Sequence, residues 1–414
     1  MKTEDILLPN MYTTNQQALK GLRAALSHEE WMMCLGAGVS ISAGLPDWYA
    51  LIAQITARLL SIEMAQKHQN NNASVTPAAI DGSSTINSFG DSYYDDISKI
   101  YGTGSFDSEF FTKIQQSING DYRKVFEKIN VLETAEYLRN FIKNMISGLG
   151  ESIDEDRLEK QVSWYMNYFI QDVLKSKVTA INSKEVRNST LGAVARLMKK
   201  GRTSIIRNVI TYNYDNLLEE YLRKNCKCPE SKLHSIVKSD ELRDLSLPKE
   251  WNIYHVHGRI PVFEHPDEPM SETVILTETD YYKEERINYS WTNIVQSYAI
   301  ARANLIFIGF SGTDYNFRRI IKYVNQENLK AQQRYIFFLV DDIVASIFRK
   351  ETDKGMELSA CIAEMVDNTN NCYTFEKIFI NYLINAQTLY WKNHGLKVIW
   401  SSIAELPTDL ESLH

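Results

Sequence analysis

The run Gly36-Ala37-Gly38-Val39-Ser40-Ile41-Ser42-Ala43-Gly44-Leu45-Pro46-Asp47 sets small residues where an apolar stretch, Trp31 to Leu35, gives way to a helical pattern. Backbone N–H groups at such a turn approach a pyrophosphate closely, so the loop can bind an anion. Any tight strand-to-helix turn also uses glycine, and the spacing is not the Gly-x-Gly-x-x-Gly of dehydrogenases. On this feature alone, nucleotide binding and a plain turn both stand. His257 offers a different chemistry, because an imidazole titrates near neutral pH and can accept a proton from a hydroxyl or an attacking water. His255 shares its face by the two-residue strand period, so position does not separate a catalytic histidine from a structural one. Ser40 and Ser311 can donate to phosphate or ribose oxygens. Asp341, just past the apolar run Tyr335 to Val340, can accept from a ribose diol as acidic residues do at strand ends. Asp314 could do either, and each of these residues also has a helix-cap reading.

These groups need elements to hold them. Ala18, Leu19, Leu22, Ala25 and Leu26 recur at helical spacing before the apolar run Trp31 to Leu35, and Trp48, Leu51, Ile52, Ile55 and Leu59 share one helical face with Asp47 placed to cap it. Further strand-like runs are Ile205 to Tyr212, Asn252 to His257, Thr273 to Leu276, Leu305 to Phe310 and Tyr335 to Val340. Short continuous apolar runs between helices predict a parallel sheet covered on both faces, an α/β fold of Rossmann-like kind. Val131 to Leu149 and Gln161 to Leu174 read as helices, the second apolar nearly all round and so buried. From Ala65 to Asp95 the composition turns to Gln, Asn, Ser, Thr, Gly and Asp, which predicts an exposed or mobile segment, with Gln69 to Asp95 either a lid or a solvated loop. The C-terminal part carries an amphipathic stretch, Phe375 to Trp391, and a last strand, Leu396 to Ser401; no internal repeat is present.

The chain has 414 residues, 44% apolar and 23% charged, with a formal charge of −7. That balance fits a soluble globular protein and gives no electrostatic footprint for direct nucleic-acid binding. The N-terminus lacks the basic start and apolar stretch of a signal peptide, and no run has the length of a membrane span, so the expected location is cytoplasmic. Cys34, Cys226, Cys228, Cys361 and Cys372 are odd in number and scattered, which suits reduced thiols. A zinc site wants about four ligands in paired spacing; Cys226-Lys227-Cys228 has no second pair, so no metal is expected.

The pattern Gly-Ala-Gly-x-Ser-x-x-x-Gly-Leu-Pro-Asp resembles the first cofactor-binding motif of the sirtuin family. Three later segments follow in the family's order: Thr211-Tyr212-Asn213-Tyr214-Asp215 is similar to its Thr-Gln-Asn-Ile-Asp, His257-Gly258 to its catalytic His-Gly pair, and Gly309-Phe310-Ser311 to its Gly-Thr-Ser element. The run Phe307 to Asp314 resembles the sirtuin-like proteins of bacterial anti-phage systems, and the layout is most similar to the subunit that works with a HerA-type ATPase. The resemblance covers mainly residues 30 to 60 and 205 to 345. It implies a sirtuin-like core formed by 1–60, 196–345 and 346–414, with 61–195 as an inserted helical subdomain. It implies NAD as the ligand, held by Gly36, Ala37, Gly38, Ser40, Gly44, Pro46, Asp47, Asp215, Gly309, Ser311 and Asp341. Asn213 would orient the ribose and a water, Asp215 would help hold the nicotinamide carboxamide, and Gly258 singles out His257 as the family's base.

Departures from the family bear on the reaction. Deacylating sirtuins carry a zinc module with two cysteine pairs, absent here, and the family's Pro-Asp-Phe-Arg is Pro46-Asp47-Trp48-Tyr49. Keeping the bond-breaking pair while its surroundings change is expected if water replaces the acyl group, so the expected activity is NAD hydrolysis to nicotinamide and ADP-ribose. The alternatives are a non-catalytic NAD-sensing or scaffold subunit of an ATPase complex, and a zinc-free protein deacylase. The resemblance further implies a homo-oligomer, with a HerA-type ATPase as possible partner and NAD depletion in defence as the role.

Overall fold

Trp31-Met32-Met33-Cys34-Leu35 is buried at every position, the signature of a strand covered on both faces. In the computed structural model it forms β1, the middle strand of a seven-stranded sheet. The structure describes residues 1–26, 30–56, 58–59, 130–147, 154–178, 180–199, 206–242, 250–265, 270–271, 274–286, 290–326, 332–352, 366–367 and 372–413. The other strands of this sheet are β2 (Ile206–Thr211), β3 (Leu233–Ile236), β4 (Trp251–His255), β5 (Asn304–Ile308), β6 (Arg334–Leu339) and β9 (Lys397–Ser401). Their order is β3-β4-β2-β1-β5-β6-β9, and every pairing is parallel. Two short segments, β7 (Val366–Asp367) and β8 (Cys372–Tyr373), pair antiparallel beside it. The Rossmann-like α/β reading is thus the observed architecture.

Two compact units are distinguished. One comprises Met1–Leu45, Val178–Ser271 and Tyr281–His414, and the other Pro46–Lys177 with Glu272–Asp280. The sheet lies wholly in the first. After β1 the chain moves to β2 on one side, and after β5 it moves to β6 on the other, so the direction of winding reverses between β1 and β5. Ligands in open parallel sheets bind at the carboxyl ends of the strands flanking such a reversal. The core beneath is aromatic: Phe307, Phe310 and Phe317 are in mutual ring contact, Trp391 meets Phe317, and all four are less than a tenth exposed. One polar rung crosses the buried sheet, where Asn252 Nδ2 donates to Asn208 Oδ1 at 2.9 Å in register between β2 and β4.

The second unit is helical where described. Helices Val131–Ser147 and Glu155–Lys177 pack on each other, and Lys143 Nζ meets Glu155 at 2.5 Å and Glu159 at 2.8 Å. Leu158, Val162, Met166, Phe169, Ile170 and Val173 form one buried stripe, narrower than the all-round apolar helix expected. Trp164 stacks on Tyr168, at 5.7 Å between ring centroids. The strand expected at Thr273 to Leu276 does not form over 274–276. Asp280 Oδ2 accepts from the amides of Leu276 and Thr277 and from the Thr277 hydroxyl, so these groups cap helix Glu278–Arg286 instead of joining a ladder. Residues 178–195, expected within the insertion, fall in the first unit, and the 65–95 segment with its lid reading lies outside the described residues.

Candidate functional site

The sequence-selected groups of the first unit are carried by loops at the carboxyl ends of β1, β2, β4, β5 and β6. At β1 the chain turns at Gly36 into a short helix, Ala37–Ile41. The glycines here answer first to a neighbouring loop. A Cβ on Gly36 would lie 2.4 Å from the Gly309 carbonyl oxygen, one on Gly38 would lie 2.8 Å from Gly309 Cα, and one on Gly309 would lie 2.5 Å from the Val39 nitrogen. Gly309 also holds φ at +62°, a conformation side chains disfavour. The Gly36 amide donates to Ile308 O at 3.0 Å and the Gly38 amide to Gly309 O at 2.9 Å. Both N–H groups expected to cradle a pyrophosphate therefore already have protein acceptors, because the loops after β1 and β5 are pressed together. Gly44, at φ +100°, closes the loop, with its amide donating to Ile41 O.

Asn213 follows β2. Its Nδ2 donates to Gly36 O at 3.0 Å and to Ser40 Oγ at 2.9 Å, which fixes the orientation of the amide. Its Oδ1 takes no hydrogen bond among the described residues and remains an open acceptor. Ser40 passes the chain on to Asp215, whose carboxyl also accepts the Leu217 amide at 3.1 Å. Burial pushes the Asp215 carboxyl above its usual range, and the Ser40 and Leu217 hydrogen bonds only partly oppose this. So Ser40, Asn213 and Asp215 form one network seated on the glycine loop.

His257 follows β4. Thr211 pairs with His255 in the parallel register, and the contact continues outward, with the Val256 amide donating to Thr211 O and the Ile260 amide to Tyr214 O. Past that register pair the chain turns at His257, where the Gly258 amide donates to His255 O, and the ring that meets His257 from β2's end is that of Tyr212, the neighbour of Asn213. His257 is 5% exposed. Tyr212 and Tyr281 present ring edges or faces to it at nearly right angles, with centroids at 5.0 and 5.8 Å. Its Nε2 is buried, makes no hydrogen bond among the described residues and lies 3.4 Å from Asp314 Oδ2. Burial lowers the pKa of His257 below the usual imidazole value, while the charges of Asp314 and Glu284 pull it back part of the way. Asp314 is held on three sides: its Oδ1 accepts the Phe317 amide at 2.7 Å, its backbone O accepts the Arg318 amide, and its Oδ2 accepts the Tyr281 hydroxyl at 2.9 Å. It is a helix cap, one of the readings the sequence left open, and also the acid beside the histidine, which the sequence did not indicate.

Tyr281 was not singled out from sequence, and nothing in its spacing marks it. Tyr212 entered only as part of the Thr211 to Asp215 motif; its hydroxyl donates to Gln296 Oε1 at 2.8 Å and its ring bridges His257 and Phe310. Burial raises the pKa of both tyrosine hydroxyls well above the ordinary phenol value, so they stay protonated and donate. Gly312, at φ +69°, lies against the Trp391 indole, which a Cβ there would meet at 2.3 Å.

The remaining candidates have other partners. Ser311 is exposed and shares a hydrogen bond with Thr313 Oγ1 at 2.7 Å. Asp341 opens helix Val340–Thr352 and accepts the Ile403 amide at 2.7 Å, a tie to the loop after β9. Pro46 and Asp47 belong to the second unit, where Asp47 Oδ1 caps a helix by accepting the Ala50 amide at 2.8 Å. Cys226 and Cys228 are free thiols. A cavity of about 750 Å³ opens at edge strand β3, lined by Arg223, His234, Ser235, Asp240, Glu241 and His265 among others and by none of the clustered residues above. Its volume marks space at the sheet edge, whereas the buried, titratable groups lie at the strand ends.

Among the described residues no helix is long and apolar enough to cross a membrane. No curated protein matches the chain. The protein-family comparison does give a match, and it contains Asn213, Asp215, His257, Gly309, Asp314 and Asp341 while starting after the glycine loop. Residues 207–360, the stretch carrying the Asn213, His257 and Asp314 cluster, match the family model for a SIR2-like domain, which supports a Sir2-like relationship and implies NAD binding or use.

Proposed function

We propose that this chain hydrolyses NAD at the nicotinamide–ribose bond, giving nicotinamide and ADP-ribose. The observation that carries the reading is a buried imidazole at the end of β4 whose Nε2 faces Asp314. At the end of neighbouring β2 stands an amide with its NH₂ pinned by two acceptors. The donor set fits the substrate. Asn213 Oδ1 can accept from a water or a ribose hydroxyl, and His257, kept neutral by burial, can take the proton given up as the water attacks. The C1′–N bond breaks with its electron pair leaving on neutral nicotinamide, and a C1′–O bond to water forms. Asp314 faces the imidazolium that results and Tyr281 holds Asp314 in place, an acid–histidine arrangement that orients the base and stabilises its charge. Tyr212 and Tyr281 cover the buried histidine, which strengthens each of these interactions.

The resemblance of Phe307 to Asp314 to sirtuin-like anti-phage proteins extends the proposal to NAD depletion in defence, in a homo-oligomer with a HerA-type ATPase as the first partner to test. Incubating the purified chain with NAD, with and without such an ATPase, and resolving the products tests the chemistry. Release of nicotinamide and ADP-ribose that disappears in Asn213→Ala supports hydrolysis. Intact NAD throughout rejects it, and cleavage that strictly requires an acylated peptide assigns a deacylase instead.

A further inference from the structure

His255 and Glu219 form a second polar assembly behind the site, with no part in the reaction just described. His255 ends β4 and is 0% exposed; Glu219 lies on helix Leu217–Lys224 and is 1% exposed. His255 Nε2 lies 2.6 Å from Glu219 Oε1, and the Ser235 hydroxyl from neighbouring β3 donates to the same oxygen at 2.9 Å. The other ring nitrogen, Nδ1, lies 3.4 Å from the backbone oxygen of Asn213. Both nitrogens therefore face acceptors, and only a ring carrying both N–H groups can donate to both. Burial by itself would raise the Glu219 carboxyl; the charge and hydrogen bond of His255, then the charge of Arg259, outweigh it and bring the group down to about 2. Asp215 is the further acid whose charge is felt here.

A buried ion pair is weak support for stability, since apolar residues of the same volume often do as well or better. What such a pair offers is position. The Asn213 side chain can aim its oxygen only if its own peptide is fixed, and that peptide lies just beyond the last ladder bonds of β2. Its amide is held by the Thr211 hydroxyl at 3.1 Å, and its carbonyl by His255. We infer that His255, charged against Glu219, is a positioning residue that clamps the Asn213 peptide and so sets where the Asn213 amide oxygen meets the reacting centre. Its effect on turnover rests on the hydrolase reading above, and its geometry does not.

Replacing both partners, Glu219→Gln with His255→Phe, leaves neither member of the pair charged and tests the clamp without orphaning one of them. The expected result is a kcat reduced by roughly 10–100-fold, as for a small misplacement of a reacting group, with KM for NAD changed by less than about two-fold on the same basis of unaltered binding. His255→Gln, which can still donate one hydrogen bond, should fall between that variant and wild type. A kcat within about two-fold of wild type in a folded double variant overturns the inference. Nitrogen-15 spectra of the histidines in the wild-type chain, with His255 assigned by its loss in the variants, give a second arm. Both ring nitrogens protonated at neutral pH supports the clamp, and one bare nitrogen overturns it. Should wild type leave NAD intact, the hydrolase reading falls and the spectra alone decide the clamp; the spectra also decide if the double variant does not fold.

Discussion

The seam between β1 and β5 and the seam between β2 and β4 lie on the same edge of one sheet and are built in opposite ways. At the first, side chains are absent so that two backbones can touch: Gly36 and Gly38 press on Gly309, and their amides are satisfied by protein carbonyls. At the second, polar side chains gather: His255, His257 and Glu219 are buried, and Asn213 and Asp314 are partly buried at the strand ends. The contrast separates two uses of a strand end. A glycine seam is a platform whose failure is a failure of folding, whereas the polar seam gathers charge and hydrogen-bonding groups at the strand ends.

Replacing Asn213 with Ala tests the contrast hardest. It should lower NAD turnover by about 10³-fold, about 4 kcal/mol of transition-state stabilisation, while the unfolding midpoint and NAD binding stay close to wild type; calorimetry and product chromatography check both. A large stability loss with turnover per folded chain intact would put Asn213 with the platform. Gly309→Ala should do the reverse. Its φ of +62° costs a side chain about 1–2 kcal/mol, and displacing the Val39 backbone adds about 1–3 kcal/mol. Urea unfolding should show the loss, with activity per folded chain falling less than in Asn213→Ala.

Asp314→Asn is subtler, because Asn still caps the following helix. Asp314 raises the His257 pKa against the lowering by burial, so its removal lets that pKa fall further. The acid limb of the pH–rate profile, where His257 gains a proton and stops acting as base, should move to lower pH. Turnover at neutral pH should fall about ten-fold as orientation and charge support are lost. An acid limb that stays put would detach Asp314 from the histidine. Ser40→Ala should have the smallest effect, about 1 kcal/mol of stability for one hydrogen-bonded hydroxyl. Asn213 Nδ2 keeps Gly36 O, and a few-fold slower turnover would mark Ser40 as the link between platform and polar seam.

Much of this was legible in the sequence because parallel strands keep register. The apolar runs ending at Leu35, Tyr212, His257 and Phe310 located the strand ends, and motifs attached to strand ends necessarily meet on one edge of a parallel sheet. The glycine loop was visible as a loop, but its glycines read as openings for a ligand when the nearer demand is contact with Gly309, a residue some 270 positions away. Asp314 was ambiguous since a cap and a ligand contact use the same residue type; the cap applies, and its place beside His257 left no mark in the spacing. Tyr281 could not be found, because it reaches Asp314 from a helix whose preceding residues look like a strand. Glu219 did leave a trace: it sits in Leu217-Leu218-Glu219-Glu220-Tyr221-Leu222, a helix buried at all six of these positions, where an acid needs a buried partner.

Gly312 resting on the Trp391 indole has a temporal consequence. The turn that presents Asp314 leans on a residue synthesised much later, and β6 is flanked by β9, later still. While the ribosome is still short of that tryptophan, the nascent polypeptide has its asparagine and histidine but lacks the wall that seats their acid. Docking of that turn is therefore completed only once Trp391 has been made.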